Sequence, residues 1–448
     1  MITFDQILPL SAQVLCSHSN FVQSLDWLVL NRDLNGRVRL VAPEKIKESP
    51  QEIERLHALE NDLSTHLEGH YHNVATLYEN DIEFVKNGAQ VSRIDGFSNV
   101  FLADRYANES SWGNVSQLTK NAPRVVFFSI KGGVGRSTSL AAVSWQLAQQ
   151  GKTVLVLDLD LESPGLSTAL LPIDRQPKFG ITDWLIEDLV DNGDHIIESM
   201  VSTSLLSHDG EIFVVPAHGA EAGEYVSKLG RVWMPKIDQH GRKEKWSQRL
   251  NRLIDQLEKN ISPDVILIDS RSGIDEIASC CVTDMGANLI LLFALDGLQT
   301  WNGYKILFEH WLKNEVAQDI RERLQIVAAM VPETDKIDYL MSLRENSYNL
   351  FADNLYDEIE AAPSDTVGPT TNGIIKWKVN SLVEGWNFDS SDEGAPHNPW
   401  AIQWHRSFTG SLTLHGRLAI IDENSIKSIF GPLIEGIESI FLPEKSDD

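Results

Sequence analysis

A chain of 448 residues, 42% hydrophobic and 23% charged, has the apolar mass for large buried cores and room for two or three domains. Its 64 acidic residues against 38 basic ones give a formal net charge of −26, which argues against a monomer that grips nucleic-acid phosphates or an anionic membrane surface. The three cysteines, Cys16, Cys280 and Cys281, support neither a disulfide framework nor a zinc site, and neither a long apolar run nor a basic leader is seen, so a cytoplasmic protein without a membrane span is expected.

Residues 1–120 read as a separate, smaller mixed α/β domain. Leu8, Val14, Leu15, Phe21, Leu25 and Leu28 keep helical spacing over 3–28, and Pro50–Leu67 does the same. Alternation over 37–41 and an apolar run over 97–102 predict strands. His66, His70 and His72 have no accompanying cysteine and read as solvated side chains. The polar stretch 108–121 reads as a connector.

From Arg124 the pattern changes. Nearly continuous apolar runs at 125–130, 154–157, 212–215, 265–268, 289–294 and 326–331 predict strands buried on both faces, with helices between them. Residues 121–448 therefore read as one α/β domain, a mostly parallel sheet flanked by helices. The intervals 179–207 and 219–260 read as helical insertions. The tail 424–441 has a strong apolar stripe whose polar face carries Glu435 and Glu438 with one lysine, Lys427. Docking on the protein's own sheet suits it better than a membrane, and Pro432 is expected to kink or split it.

Three segments carry chemistry. The run 125–130 leads into Lys131-Gly132-Gly133-Val134-Gly135-Arg136-Ser137-Thr138 and then a helical stretch. Glycines let backbone N–H groups curl around phosphates, and a helix N-terminus adds a favourable dipole. Ser137 stands where a hydroxyl would reach Mg²⁺. The run 154–157 ends in Asp158-Leu159-Asp160, and the run 265–268 ends in Asp269, followed by Arg271 and Gly273. Asp269 is placed to hold Mg²⁺ through water, and Gly273 to let the backbone approach a γ-phosphate. Arg271 reads either as a second phosphate sensor or as a surface ion-pair residue. The loop from Asp296 to Trp301 and the strand end at Val331-Pro332-Glu333 are further candidates to border a nucleotide.

The glycine segment resembles the deviant Walker A motif of the MinD/ParA family, Lys-Gly-Gly-x-Gly-Lys-Ser/Thr, and within it the variant subgroup with Lys-Gly-Gly-Val-Gly-Arg. The resemblance spans about 124–356. It implies a P-loop fold and an ATPase working as a nucleotide-sandwich homodimer. In that arrangement Lys131 reaches the partner's phosphates and residues 132–138 cradle the protomer's own. Asp158 would lie near Mg²⁺ and Ser137, and Asp160 would orient the attacking water. Arg136 replaces the family's second lysine, and a planar fork in place of a point charge makes phosphate binding safer than fast hydrolysis. No guanine-type Asn-Lys-x-Asp follows residue 333, which favours ATP over GTP. Two functions follow: an ATP-operated dimer switch regulating or positioning a protein partner through the N-terminal domain, or a nucleotide-sensing scaffold with little turnover. The Cys280–Cys281 pair does not suit an iron–sulfur reductase, and no tyrosine follows Tyr356, which does not suit a tyrosine kinase of this fold.

Overall fold

The computed structural model describes residues 2–72, 76–105, 112–237, 241–357, 385–408 and 414–441. It divides into two compact units, Met1–Ser111 and Trp112–Asp448.

The first unit is a mixed five-stranded sheet in the order β3-β2-β1-β5-β4. Its strands are β1 Leu28–Arg32, β2 Val38–Pro43, β3 Leu77–Glu79, β4 Gln90–Arg93 and β5 Val100–Asp104. β1 runs parallel to β5 and antiparallel to β2, and the register sets Arg32 opposite Asp104. These two form a buried ion pair, with Nε donating to Oδ1 at 2.8 Å. The helix Pro50–Leu67 starts on the Ser49 cap with proline at its first position, and it buries Leu56, Leu59, Leu63 and Leu67 against the sheet side that also holds Leu28 and Leu30.

Two sequence expectations change here. The helix expected over 3–28 ends early, as Ile7–Ser17 followed by one turn at Ser19–Val22, and Leu28 opens a strand. Leu25 and Leu28 do continue the helical spacing, but Leu28–Arg32 is claimed by pairing with strands on both sides, which local periodicity cannot register. The strand expected at 97–102 is displaced to Val100–Asp104.

The second unit is built on eight strands in the order β15-β14-β13-β6-β12-β7-β9-β8. They are β6 Arg124–Ser129, β7 Thr153–Asp158, β8 Ser202–Thr203, β9 Glu211–Val215, β12 Val265–Ser272, β13 Leu289–Ala294, β14 Leu324–Val331 and β15 Trp400–Gln403. A separate two-residue ribbon pairs β10 Lys236–Ile237 with β11 Lys243–Glu244. All neighbours in the large sheet are parallel except β8 and β9. Helices cover both faces, so alternate residues of one strand enter two different cores. Val126 and Phe128 join one core, and Val125 and Phe127 the other. Leu155 and Leu157 part from Val154 and Val156 in the same way. Hence the apolar runs are continuous.

The interval 179–207 is less helical than expected: Ile181–Glu187, three short 3-10 turns and the strand β8. Of the connector expected at 108–121, the described part packs on the second unit. The Trp112 ring lies 5.8 Å from that of Phe128, and Ser116 N–H donates to the Thr283 carbonyl at 2.8 Å. Residues 108–111 lie outside the described residues.

The tail forms one helix, Glu423–Glu438, which continues through Pro432 without splitting. It buries Ile426, Ile429, Phe430, Leu433, Ile434 and Ile437 against β15 and the helix Arg136–Gln149. Gly436 lies directly on Trp400, where a Cβ would come within 2.3 Å of the indole. Among the described residues, no helix is long and apolar enough to cross a membrane.

Candidate functional site

β6 sits where the chain order reverses: the next strand, β7, lies to one side beyond β12, while β13 lies on the other. Crevices outside the carboxyl ends of strands form at such points. There the chain leaves β6 through Ile130 and turns through the glycines. Gly133 and Gly135 take φ of 74° and 87°, the left-handed region in which a side chain is strained. Gly135 caps the helix Arg136–Gln149, and its carbonyl accepts from Ser139 N–H at 2.9 Å and Ser139 Oγ at 2.8 Å. Ser129 Oγ holds the Lys131 carbonyl at 2.8 Å, which fixes the loop's root. Lys131, Gly132 and Gly133 are exposed, while Val134 is buried beneath them.

The two acidic motifs meet here through sheet register. β7 and β12 are neighbours, and Asp158 pairs directly with Asp269. Ser137, on the first turn of the helix, donates from Oγ to Asp269 Oδ2 at 2.5 Å. Both carboxylates are buried, at 0% and 1% exposure, and Asp158 Oδ2 and Asp269 Oδ1 have no hydrogen-bond partner. Burial pushes the Asp158 carboxyl up to about 8, with the Asp269 and Asp160 charges adding to the effect. Burial also raises Asp269, against the opposing pull of Arg136 and Ser137. Asp160 is less buried, and its Oδ2 lies 3.6 Å from Arg136 Nη2.

These atoms suit a small, hard cation. Two buried carboxylate oxygens without partners and a hydroxyl are the hard-oxygen donors that Mg²⁺ takes, leaving further positions for phosphate and water. Among the described residues, no three His, Cys, Asp or Glu side chains are gathered to hold an ion by themselves, His66, His70 and His72 included.

A pH dependence follows. A folded-state Asp158 titrating near 8, against an ordinary 3.8, keeps a proton that the unfolded chain gives up. Its contribution to stability is whole below about pH 4 and is lost as pH rises towards about 8. In metal-free buffer, wild type is expected to lose thermal stability relative to Asp158→Asn between about pH 5 and 8, with the difference levelling above. Melting curves of both proteins across that range measure it. A constant difference would refute the assignment.

The remaining candidates divide. Arg271 is engaged by Glu162 at 2.6 Å and by Asp275 at 3.1 Å, so it ties the loop after β7 to the loop after β12 as an ion-pair residue. Gly273, at φ 97°, donates its N–H to the Ser129 carbonyl at 2.9 Å, next to the glycine loop. Asp296 is taken up by Trp301, Ser342 and Asn346, which ties the start of the helix Leu298–Lys313 to the middle of the helix Lys336–Asn354. From the end of β14 it is Met330, a residue earlier than expected, that lines a cleft beside the glycine loop.

That cleft, of about 380 Å³, runs from Gly133–Ser139 to Ile402, Trp404, Phe408 and Phe430. Phe408 and Phe430 meet edge to face at 5.4 Å. The sequence reading missed these residues on β15 and beyond. The signal available was the run Trp400-Ala401-Ile402-Gln403-Trp404 after Pro399, too short to separate from a loop.

A parallel sheet with a glycine loop and helix start at its reversal point, faced by two strand-end aspartates, defines a P-loop type of nucleotide-binding domain. Residues 125–370 match the family model of the CobQ/CobB/MinD/ParA nucleotide binding domain, and the chain belongs to that family. β15 and the C-terminal helix lie beyond the matched residues. Among solved structures, the chain is similar to the MinD cell division protein of Aquifex aeolicus, at 14% identity over 72% of this chain and 100% of that one, with a TM-score of 0.41. It is also similar to a ParA family ATPase from Chlorobium tepidum TLS, at 16% identity over 50% and 80%, with a TM-score of 0.36. A third is cobyrinic acid a,c-diamide synthase from Mycobacterium smegmatis with bound ATP analog and magnesium, at 20% identity over 50% and 82%, with a TM-score of 0.34. No curated protein matches the chain.

Proposed function

We propose that this protein binds Mg-ATP at the glycine loop, hydrolyses it, and acts as an ATP-operated dimer switch that regulates or positions a protein partner. The observation that carries the reading is the convergence of Ser137, Asp158 and Asp269 in front of the loop, with two carboxylate oxygens buried and unpartnered. Backbone N–H groups of residues 132–138, with Arg136, would hold the β- and γ-phosphates. Ser137, Asp158 and Asp269 would hold Mg²⁺, which supplies neutralisation of phosphate charge. The cleft beside the loop takes the base, with Phe408 and Trp404 offering apolar faces to a planar ring. Lys131, exposed at the loop's root, is the residue that reaches a second copy's phosphates, as in the deviant Walker A class. The N-terminal unit is the part assigned to the partner protein.

Asp160 is assigned to the attacking water. It is the least buried of the three aspartates, and removing it leaves Ser137, Asp158 and Asp269 in place. Asp160→Ala is expected to lower phosphate release about a hundredfold while ATP affinity stays within about threefold. Calorimetry and a phosphate-release assay on the full chain measure the two. Joint loss of binding and turnover would move Asp160 into the metal-holding or folding set.

One observation favours the second reading, a nucleotide-sensing scaffold with little turnover. The arginine that replaces the family's lysine stands against Asp160 itself, so the group assigned to water is engaged by a cation. Wild-type protein that binds Mg-ATP but releases no phosphate above buffer would establish the scaffold.

A further inference from the structure

Arg136 is the first residue of its helix, and its side chain is drawn inward rather than extended to solvent, at 7% exposure. One guanidinium nitrogen, Nη2, lies 3.6 Å from Asp160 Oδ2. The other, Nη1, is buried without a hydrogen-bond partner. In the same site, Asp158 Oδ2 and Asp269 Oδ1 are buried without partners. An unmatched guanidinium donor and the unmatched Asp269 carboxylate oxygen thus share one crevice, and burying such groups unpaired is costly. A guanidinium keeps its charge at any ordinary pH, so this cation cannot relieve the conflict by losing a proton. It can relieve it by moving.

We propose that Arg136 has two seats: in the nucleotide-free chain it is the counter-ion of Asp160 and Asp269, and phosphate draws it off, so that divalent cation and phosphate load together and not singly. The inference rests on the nucleotide reading above and adds to it an order of loading. A guanidinium beside the carboxylates repels a second cation, and in a site of low polarity that repulsion is large. Phosphate offers the same fork a bidentate partner of higher charge. Its departure also frees Asp160.

The test is the binding of Mn²⁺ to the full chain without nucleotide, followed by electron paramagnetic resonance or calorimetry. Wild type is expected to bind Mn²⁺ weakly under these conditions. Arg136→Gln, which keeps a polar group and removes the charge, is expected to bind Mn²⁺ about tenfold more tightly or better. Arg136→Lys, which retains a cation, is expected to stay close to wild type. Arg136→Met keeps the packing of the stem without the charge and serves in place of the glutamine variant if that one does not fold. Equal Mn²⁺ affinity in wild type and the uncharged variants, or weaker binding in the variants, would overturn the proposal. Failure of the nucleotide reading has a different signature: wild type would then bind no ATP with Mg²⁺ present, whatever the manganese titrations show.

Discussion

Gly135→Val is expected to abolish nucleotide binding while leaving the chain folded. Two effects act at this position. At φ 87° a β-branched residue is strained, which costs about 1–2 kcal/mol of stability. No protein atom lies within 4 Å of the position a Cβ would take, so the isopropyl group meets no packing in its own chain. The open space there adjoins the cleft lined by Gly133–Ser139, where phosphate oxygens would approach the backbone N–H groups. The expected loss of ATP affinity is about a hundredfold or more, ~2.7 kcal/mol.

Gly151, just past the far end of the same helix, separates the two effects. It also has positive φ, at 79°, and also has open space at its Cβ position. Gly151→Val should share the strain and lower the melting temperature similarly, yet leave ATP affinity unchanged. Calorimetry and thermal melting of the two variants decide between a phosphate cradle and a merely structural turn. Equal ATP affinity in Gly135→Val and Gly151→Val would remove the glycine loop from the binding site.

Much of the second unit was legible because its chemistry is local. β6, β7, β12, β13 and β14 announce themselves as short apolar runs, since both faces of each strand are covered and every position must be apolar. The glycine loop is legible for a related reason: left-handed backbone at Gly133 and Gly135 leaves a mark on composition. What depends on strand order was not legible in the residues themselves, and only the family resemblance put Asp158 beside the same metal as Asp269. Asp158 and Asp269 stand side by side only because β12 inserts between β6 and β7, although they are 111 positions apart in the chain. The contacts of Arg136 with Asp160 and of Arg271 with Glu162 are set by the same order. The cleft wall was hidden more deeply. β15 is four residues long, and its strand character comes from pairing with β14 and from the helix lying on Trp400, neither of which its own sequence encodes.

Loss of ATP-dependent dimerisation in Lys131→Ala is the second large effect expected, and it separates a sandwich dimer from an ordinary P-loop. Lys131 and Arg136 flank the same three glycines but sit in opposite settings. Arg136 is buried against Asp160, whereas Lys131 is exposed, with its carbonyl pinned by Ser129 Oγ and its side chain outside the cleft lining. On the sandwich-dimer reading, a cation so placed would add little to its own protomer's phosphates and would be available to a second copy's. In a two-fold dimer the contact is made twice, so removing it costs twice. At ~1.5–3 kcal/mol for each charge-assisted bond, the dimer is weakened by ~3–6 kcal/mol, or two to four powers of ten in its dissociation constant. Monomer affinity for ATP should stay within about threefold. Light scattering with a slowly hydrolysed ATP analogue measures the dimer, and calorimetry at low protein concentration measures the monomer. A wild-type chain that remains monomeric at saturating analogue, or a Lys131→Ala variant that dimerises normally, would leave Lys131 a solvent-exposed lysine and return the switch to a single protomer.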